Sequence, residues 1–289
     1  MARRPRLQFA GAIYHVMARG NRKSTIFHDD HDRRQFLRVV AEAATAYDLR
    51  IMALCLMGNH YHILLETPDR NLSEAMQFIN GVYAQRSNRR YAQTGHVFEA
   101  RFRSLVIQRE SYLRRAARYV VRNPVRAKWV PDAAAWAWSS YRATAGLKCP
   151  PRWLNVDWIR WAFKTDSLRE AKRRYAGYVN APASSQRRIA LNTVVLGTRR
   201  FGEHVLKAYG EGQPEVPVPQ HVRTLVRPTL AELFESAERS SEARDRFIHS
   251  ARADYGYRFV EIARYLKIDR STASKAARRA RRHEFDTEL

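Results

Sequence analysis

The alternation of apolar and polar positions along the first 125 residues switches repeatedly between a two-residue and a three-to-four-residue period. Residues 9–18 (FAGAIYHVMA) read as a strand, rich in β-branched and aromatic side chains and closed by Gly20-Asn21. Asp29 and Asp30 can cap a helix that carries Phe36, Leu37, Val40 and Ala44 at helical spacing. Two further strands, 47–56 and 61–67, meet at the turn dipeptide Gly58-Asn59, and Pro68-Asp69 ends the second. Asn71 can cap a second helix with Leu72, Ala75, Met76, Ile79 and Val82 on one face. Residues 97–107 (VFEARFRSLVI) read as a fourth strand, followed by a helix over 109–121 that stops at Asn123-Pro124. The order β-α-β-β-α-β plus a terminal helix predicts an α+β fold of the ferredoxin-like pattern.

The pattern changes after residue 128. A Trp-rich stretch, 129–162, reads as packing that seals the first domain, and 163–210 read as helical. Residues 211–228 (EGQPEVPVPQHVRTLVRP) form a stiff Pro-rich linker, and 229–283 are helical throughout. The expected organisation is therefore a sheet-and-helix domain at 1–150, a helical connector and linker at 151–228, and an all-α domain at 229–289. No repeat of fixed period is visible.

Composition narrows the partner. In 289 residues, 52 Lys and Arg stand against 28 Asp and Glu, a formal net charge of +24. A surplus of that size repels itself in the compact state, and a polyanion is the partner that offsets it. Between residues 86 and 128, twelve Arg or Lys face only Glu99 and Glu110, with Tyr91, Phe98, Phe102, Tyr112 and Tyr119 among them. Arginines interleaved with aromatics suit a single-stranded nucleic acid, whose phosphates can pair while its bases stack. Cys55 and Cys149 are too few for a disulfide framework or a four-cysteine zinc site. No apolar run approaches membrane-spanning length and the basic start lacks a secretory pattern. The expectation is a cytoplasmic, nucleoid-associated protein.

Two groups of residues could carry chemistry. His60 and His62 stand two apart in a predicted strand, so both imidazoles face one side while Tyr61 and Ile63 face the other. That spacing can grip one cation. Tyr119 and Asn123 are i and i+4 neighbours on the helix after the fourth strand. A phenol oxygen can attack phosphorus, and an amide oxygen is a hard ligand that can complete a two-His metal site. Tyr112 lies seven residues before Tyr119 on the same helix face and is the other candidate phenol. His15 reads as a satisfied structural histidine rather than a ligand.

These residues carry a resemblance. Met57-Gly58-Asn59-His60-Tyr61-His62 resembles the HUH motif (His, bulky hydrophobic, His), and Arg118 to Ala127 (RYVVRNPVRA) resembles the tyrosine motif of the same enzymes. HVMARGNR at 15–22, Ile26-Phe27 and Trp138-Ser139-Ser140-Tyr141 match in the same order. The chain is thus similar over residues 8–145 to the REP-associated tyrosine transposases, relatives of the single-tyrosine insertion-sequence transposases. The resemblance implies a metal-dependent endonuclease and strand transferase that forms a 5′-phosphotyrosine bond on single-stranded or hairpin DNA. It implies Tyr119 as nucleophile and His60, His62 and Asn123 as ligands of Mg²⁺ or Mn²⁺. A homodimer is implied by the family alone. Arg101, Arg103, Arg118, Arg122 and Arg126 are the expected contacts to the strand.

The C-terminal pattern EIARYLKIDRSTASKAARR resembles a helix-turn-helix. Residues at the start of its second helix, Arg270, Ser271, Thr272, Ser274 and Lys275, would read duplex DNA. The alternative reading is a non-catalytic DNA-binding regulator that keeps the HUH fold. The joint presence of Tyr119, His60, His62 and Asn123 speaks against it, since a regulator needs none of them.

Overall fold

The computed structural model describes residues 6–182, 195–211, 229–235, 241–253, 255 and 257–287. They form two compact units, Arg6–Gly197 and a second beginning at Thr198. In the first, β1 (Ala12–Arg19), β2 (Arg50–Leu56), β3 (His60–Thr67), β4 (Arg103–Ile107) and the short β5 (Val195–Leu196) make one sheet in the order β2-β3-β1-β4-β5. The first four strands are antiparallel neighbours in the ferredoxin-like order, and β5 adds in parallel beside β4.

Alternation along each strand decides which layer it meets. Tyr61 packs on Phe36 of α1 (Asp30–Ala46), with ring centroids 4.8 Å apart, and Phe36 meets Tyr83 of α2 (Leu72–Arg90) at 5.2 Å. These two helices cover one face. The opposite face takes α3 (Arg109–Val121), whose Leu113, Ala116, Ala117, Val120 and Val121 share a core with Ile13, Leu64, Leu105 and Ile107. The Asp29 side chain caps α1 by accepting from the Asp32 N–H at 3.0 Å, as expected. Asn71 does not cap α2; its Nδ2 donates to the Tyr47 carbonyl at 3.0 Å and ties the loop to α1 instead.

The fourth strand is shorter than the expected 97–107. Phe98 makes a single bridge to Gly20, and its ring joins Tyr61 and Tyr83 on the α1–α2 side. The Glu99 N–H still donates to the Arg19 carbonyl at 3.0 Å, but regular pairing resumes only at Arg103, so 99–102 form a loop.

The boundary expected at 150 falls at Gly197 instead. After the short helices α4 (Asn123–Arg126) and α5 (Tyr141–Thr144) come α6 (Trp158–Ala162) and α7 (Leu168–Asn180). Trp158, Ile159, Phe163, Tyr175 and Val179 from this segment lie in the same apolar cluster as Leu113 and Val120. They complete the core under α3 rather than starting a connector. Ser140 covers the outer edge of β2, its N–H donating to the Leu54 carbonyl at 2.8 Å and its Oγ accepting from the Leu54 N–H at 3.0 Å. The Trp residues divide: Trp158 is buried, whereas Trp129 and Trp161 are about half exposed.

The second unit is helical: α8 (Arg199–Glu211), α9 (Leu230–Glu235), α10 (Ser241–Ala253), α11 (Phe259–Leu266) and α12 (Arg270–Thr287). The Pro-rich stretch beyond Glu211 lies outside the described residues. Lys267 takes a left-handed conformation (φ 53°) and turns the chain between α11 and α12. Ala273, Ala276 and Ala277 of α12 pack with Ile248, Ala251, Tyr257 and Ile262, where small side chains let the helices approach closely.

Candidate active site

One sheet face passes from apolar to polar along its strands. On β1 it presents Ile13, His15, Met17 and Arg19; on β3, Leu64, His62 and His60; on β4, Ile107, Leu105 and Arg103. The register aligns these rows, pairing Ile13 with Ile107, Met17 with His62 and Arg103, and Arg19 with His60. The body of α3 buries the apolar end; its last turn carries Tyr119, and α4 begins with Asn123, over the polar end. The result is a cleft of about 290 Å³ lined by His60, His62, Tyr119 and Asn123 together with Arg101 and Arg103.

The turn that opens β3 is held by backbone. The Gly20 N–H donates to the Asn59 carbonyl at 2.8 Å. A Cβ on Gly20 would collide with the Ser24 carbonyl oxygen, so only glycine lets the chain fold back on the end of β1 here.

Within the cleft, the His60 and His62 rings stand 5.1 Å apart and perpendicular, and the Tyr119 ring lies 5.8 Å from His62. His60 is half-buried, and its Nδ1 lies 2.7 Å from Asn59 Oδ1. His62 is buried, and its Nδ1 lies 2.9 Å from Nε2 of the wholly buried His15. Burial, with Arg19 adding to it, lowers the pKa of His60 to about 4. Burial also lowers the pKa of His62 well below the ordinary imidazole value, reinforced by His15, His60, Arg126 and Arg19. Both imidazoles are therefore neutral at pH 7, the form a metal ion binds.

Asn123 turns its amide nitrogen back to the end of α3, where Nδ2 donates to the carbonyls of Tyr119 (2.9 Å) and Val120 (3.3 Å). Its Oδ1 is thereby left for the cleft, and the helix end that Pro124 interrupts is capped. The Arg126 guanidinium sits over the Tyr119 ring, 4.5 Å from its centroid. Two imidazole nitrogens and an amide oxygen fit a hard divalent ion that keeps open positions. Among the described residues, no group of three or more His, Cys, Asp or Glu is placed to hold a metal.

The expected strand contacts separate. Arg101 and Arg103 line the cleft and Arg126 covers Tyr119. Arg118 and Arg122 do not face it. Arg118 is buried, and its Nη2 donates to the carbonyls of Ala181 and Pro182. Arg122 Nη1 donates to Val179 (2.7 Å) and Ala181 (3.2 Å). Both satisfy carbonyls at the end of α7, which has no later turn to do so. Tyr112 packs partly against the core under the Arg115 guanidinium and is not a cleft residue. In the second unit, Arg270, Ser271, Thr272 and Lys275 are exposed in the first turns of α12, with Ser274 half-exposed.

Sequence reasoning passed over Arg19 and Glu99, which also line the cleft, and gave His15 no place beside it. The β1 alternation held the signal for Arg19 and His15, since both fall on the face of the histidines opposite them. Nothing local marked Glu99, which comes from the loop that replaces half of the expected strand. Among the described residues no helix is long and apolar enough to cross a membrane.

No curated protein matches the chain. Two solved structures similar to it are a REP-associated tyrosine transposase bound to a REP hairpin and a transposase from Deinococcus radiodurans R1 whose function is assigned only provisionally. The first is 17% identical over 52% of this chain and 89% of its own, with a TM-score of 0.45. The second is 17% identical over 42% of this chain and 97% of its own, with a TM-score of 0.31. Residues 8–123, which hold the first four strands, the two histidines and the helix with Tyr119, match the model of the IS200-like transposase family.

Proposed function

We propose that the chain is a metal-dependent DNA endonuclease and strand transferase acting on single-stranded or hairpin DNA, with Tyr119 as its nucleophile. The observation that carries this reading is the convergence of Tyr119, His60, His62 and Asn123 on one cleft from two distant sequence segments. The Tyr119 oxygen attacks a backbone phosphorus, the bond from phosphorus to O3′ breaks, and the departing O3′ takes up a proton. The products are a 5′-phosphotyrosine and a free 3′-hydroxyl, and the reverse attack by a 3′-hydroxyl joins strands.

His60, His62 and Asn123 would hold Mg²⁺ or Mn²⁺. A bound ion of this kind polarises a phosphoryl oxygen and offsets charge that develops in the transition state. Arg101 and Arg103 face the incoming phosphates, and Arg126 fixes the Tyr119 ring from above. The second unit adds duplex binding, with Arg270, Ser271, Thr272, Ser274 and Lys275 at the groove.

The test is a labelled hairpin incubated with the protein and Mg²⁺ or Mn²⁺, followed by denaturing electrophoresis. A covalent adduct forms with the native chain and with Tyr112→Phe and is lost in Tyr119→Phe. Hairpin binding with no adduct in any condition would instead favour a non-catalytic DNA-binding regulator.

A further inference from the structure

We infer that Asn59 and His15 are positioning residues that fix the proton on Nδ1 of His60 and His62, so that both rings present a bare Nε2 to a divalent cation. The inference rests on the metal reading above and extends it to two residues outside the ligand set.

Asn59 is the simpler case. Its Nδ2 donates to the Lys23 carbonyl at 2.9 Å, which fixes the orientation of the amide. Its Oδ1 is then the atom 2.7 Å from His60 Nδ1, and a carbonyl oxygen can only accept. The proton of that hydrogen bond belongs to His60 Nδ1, and Nε2 is left as a lone pair. The short Gly58-Asn59 turn puts this acceptor one residue from the ring it orients.

His15 does the same for His62 across the sheet. Its Nε2 lies 2.9 Å from His62 Nδ1, and one proton is shared between them. If His15 carried it, His62 would have its own proton on Nε2 and could not bind metal there. Ligation at Nε2 requires His62 Nδ1–H to donate to His15 Nε2, which puts the second proton of the pair on His15 Nδ1. That atom is buried and has no hydrogen-bond partner. Nδ1 of His15 is without a partner in either tautomer, so the direction of the proton is set by the hydrogen bond to His62 together with ligation at its Nε2. His15 itself lies behind the cleft, fully buried, and is not a further ligand.

The test measures metal affinity on the DNA-free full chain, by electron paramagnetic resonance titration with Mn²⁺. His15→Leu and Asn59→Ala should each bind Mn²⁺ about 10–100-fold more weakly than the native chain. His15→Gln, which keeps a carbonyl acceptor at that reach, should recover most of the loss. Native-level Mn²⁺ affinity in His15→Leu and Asn59→Ala would overturn the inference while leaving the metal reading intact. A native chain that binds no Mn²⁺ would overturn the metal reading itself, and the inference with it. Long-range ¹H–¹⁵N spectra of the native chain with saturating Mg²⁺ need no variant. They should show His60 and His62 protonated on Nδ1, and a proton on Nε2 of either ring refutes the assignment.

Discussion

Arg118 and Arg103 are both arginines in the basic stretch around Tyr119, yet they have different work. Arg118 is buried against the carbonyls that end α7, so Arg118→Ala takes its donor from the Pro182 carbonyl and leaves Ala181 with Arg122 alone. The expected cost is about 2 kcal/mol, a fall of about 4–8 °C in the melting temperature of a unit this size. The salt dependence of single-strand binding should not change, because no phosphate contact is lost. Arg101→Ala and Arg103→Ala should show the opposite: an unaltered melting temperature and a salt slope lower by about 0.7 for each contact removed. Thermal unfolding and binding titrations at several salt concentrations check both halves. If Arg118→Ala instead lowered the salt slope, the capping role would be wrong.

At the scale of elements, α12 rests on alanine. Ala273, Ala276 and Ala277 let it pack closely on α10 and α11, and a larger side chain has no room there. Ala277→Leu should destabilise the second unit by about 1–3 kcal/mol. Its effect is confined to that unit, so adduct formation on a short single strand should survive while duplex affinity falls. Hydrogen exchange over 241–287 would locate the loosening.

Elements with a clear period were readable from the chain. The helix over 109–121 has the bounds expected of it, and the alternation of β3 put His60 and His62 on the face that meets Tyr119. What failed depended on distant partners. Residues 97–107 alternate well enough to read as one strand, but the chain bridges β1 at Phe98 and pairs again only from Arg103, a break that local alternation does not mark. Arg118 and Arg122 looked like phosphate ligands because the carbonyls they serve lie 57 to 64 residues further on. His15 was read as a satisfied structural histidine; it is buried, but its Nδ1 has no partner, and its bond to His62 was not visible because hydrogen bonding across a sheet depends on strand register.

At the scale of the molecule, the charge surplus has two addresses: the arginine-lined cleft of the first unit and the basic helix α12 of the second. Deleting 229–289 should lower duplex affinity and flatten its salt slope, while cleavage of short single strands persists. Binding titrations on duplex and electrophoresis on single strands separate the two effects. Loss of both would show that the units do not act independently. Chelation by EDTA should abolish the adduct in both forms of the protein, with recovery on adding Mn²⁺.

Tyr119, His60, His62 and Asn123 all come from one chain, and α3 is fastened to that chain's own sheet core and to its own α7. The proposed site is thus complete within one chain. Mixing Tyr119→Phe with His62→Ala should therefore show no complementation: neither partner can lend the other its missing group. Each intact chain in a mixed population would act alone, and adduct yield should follow the fraction of intact chains linearly rather than as its square.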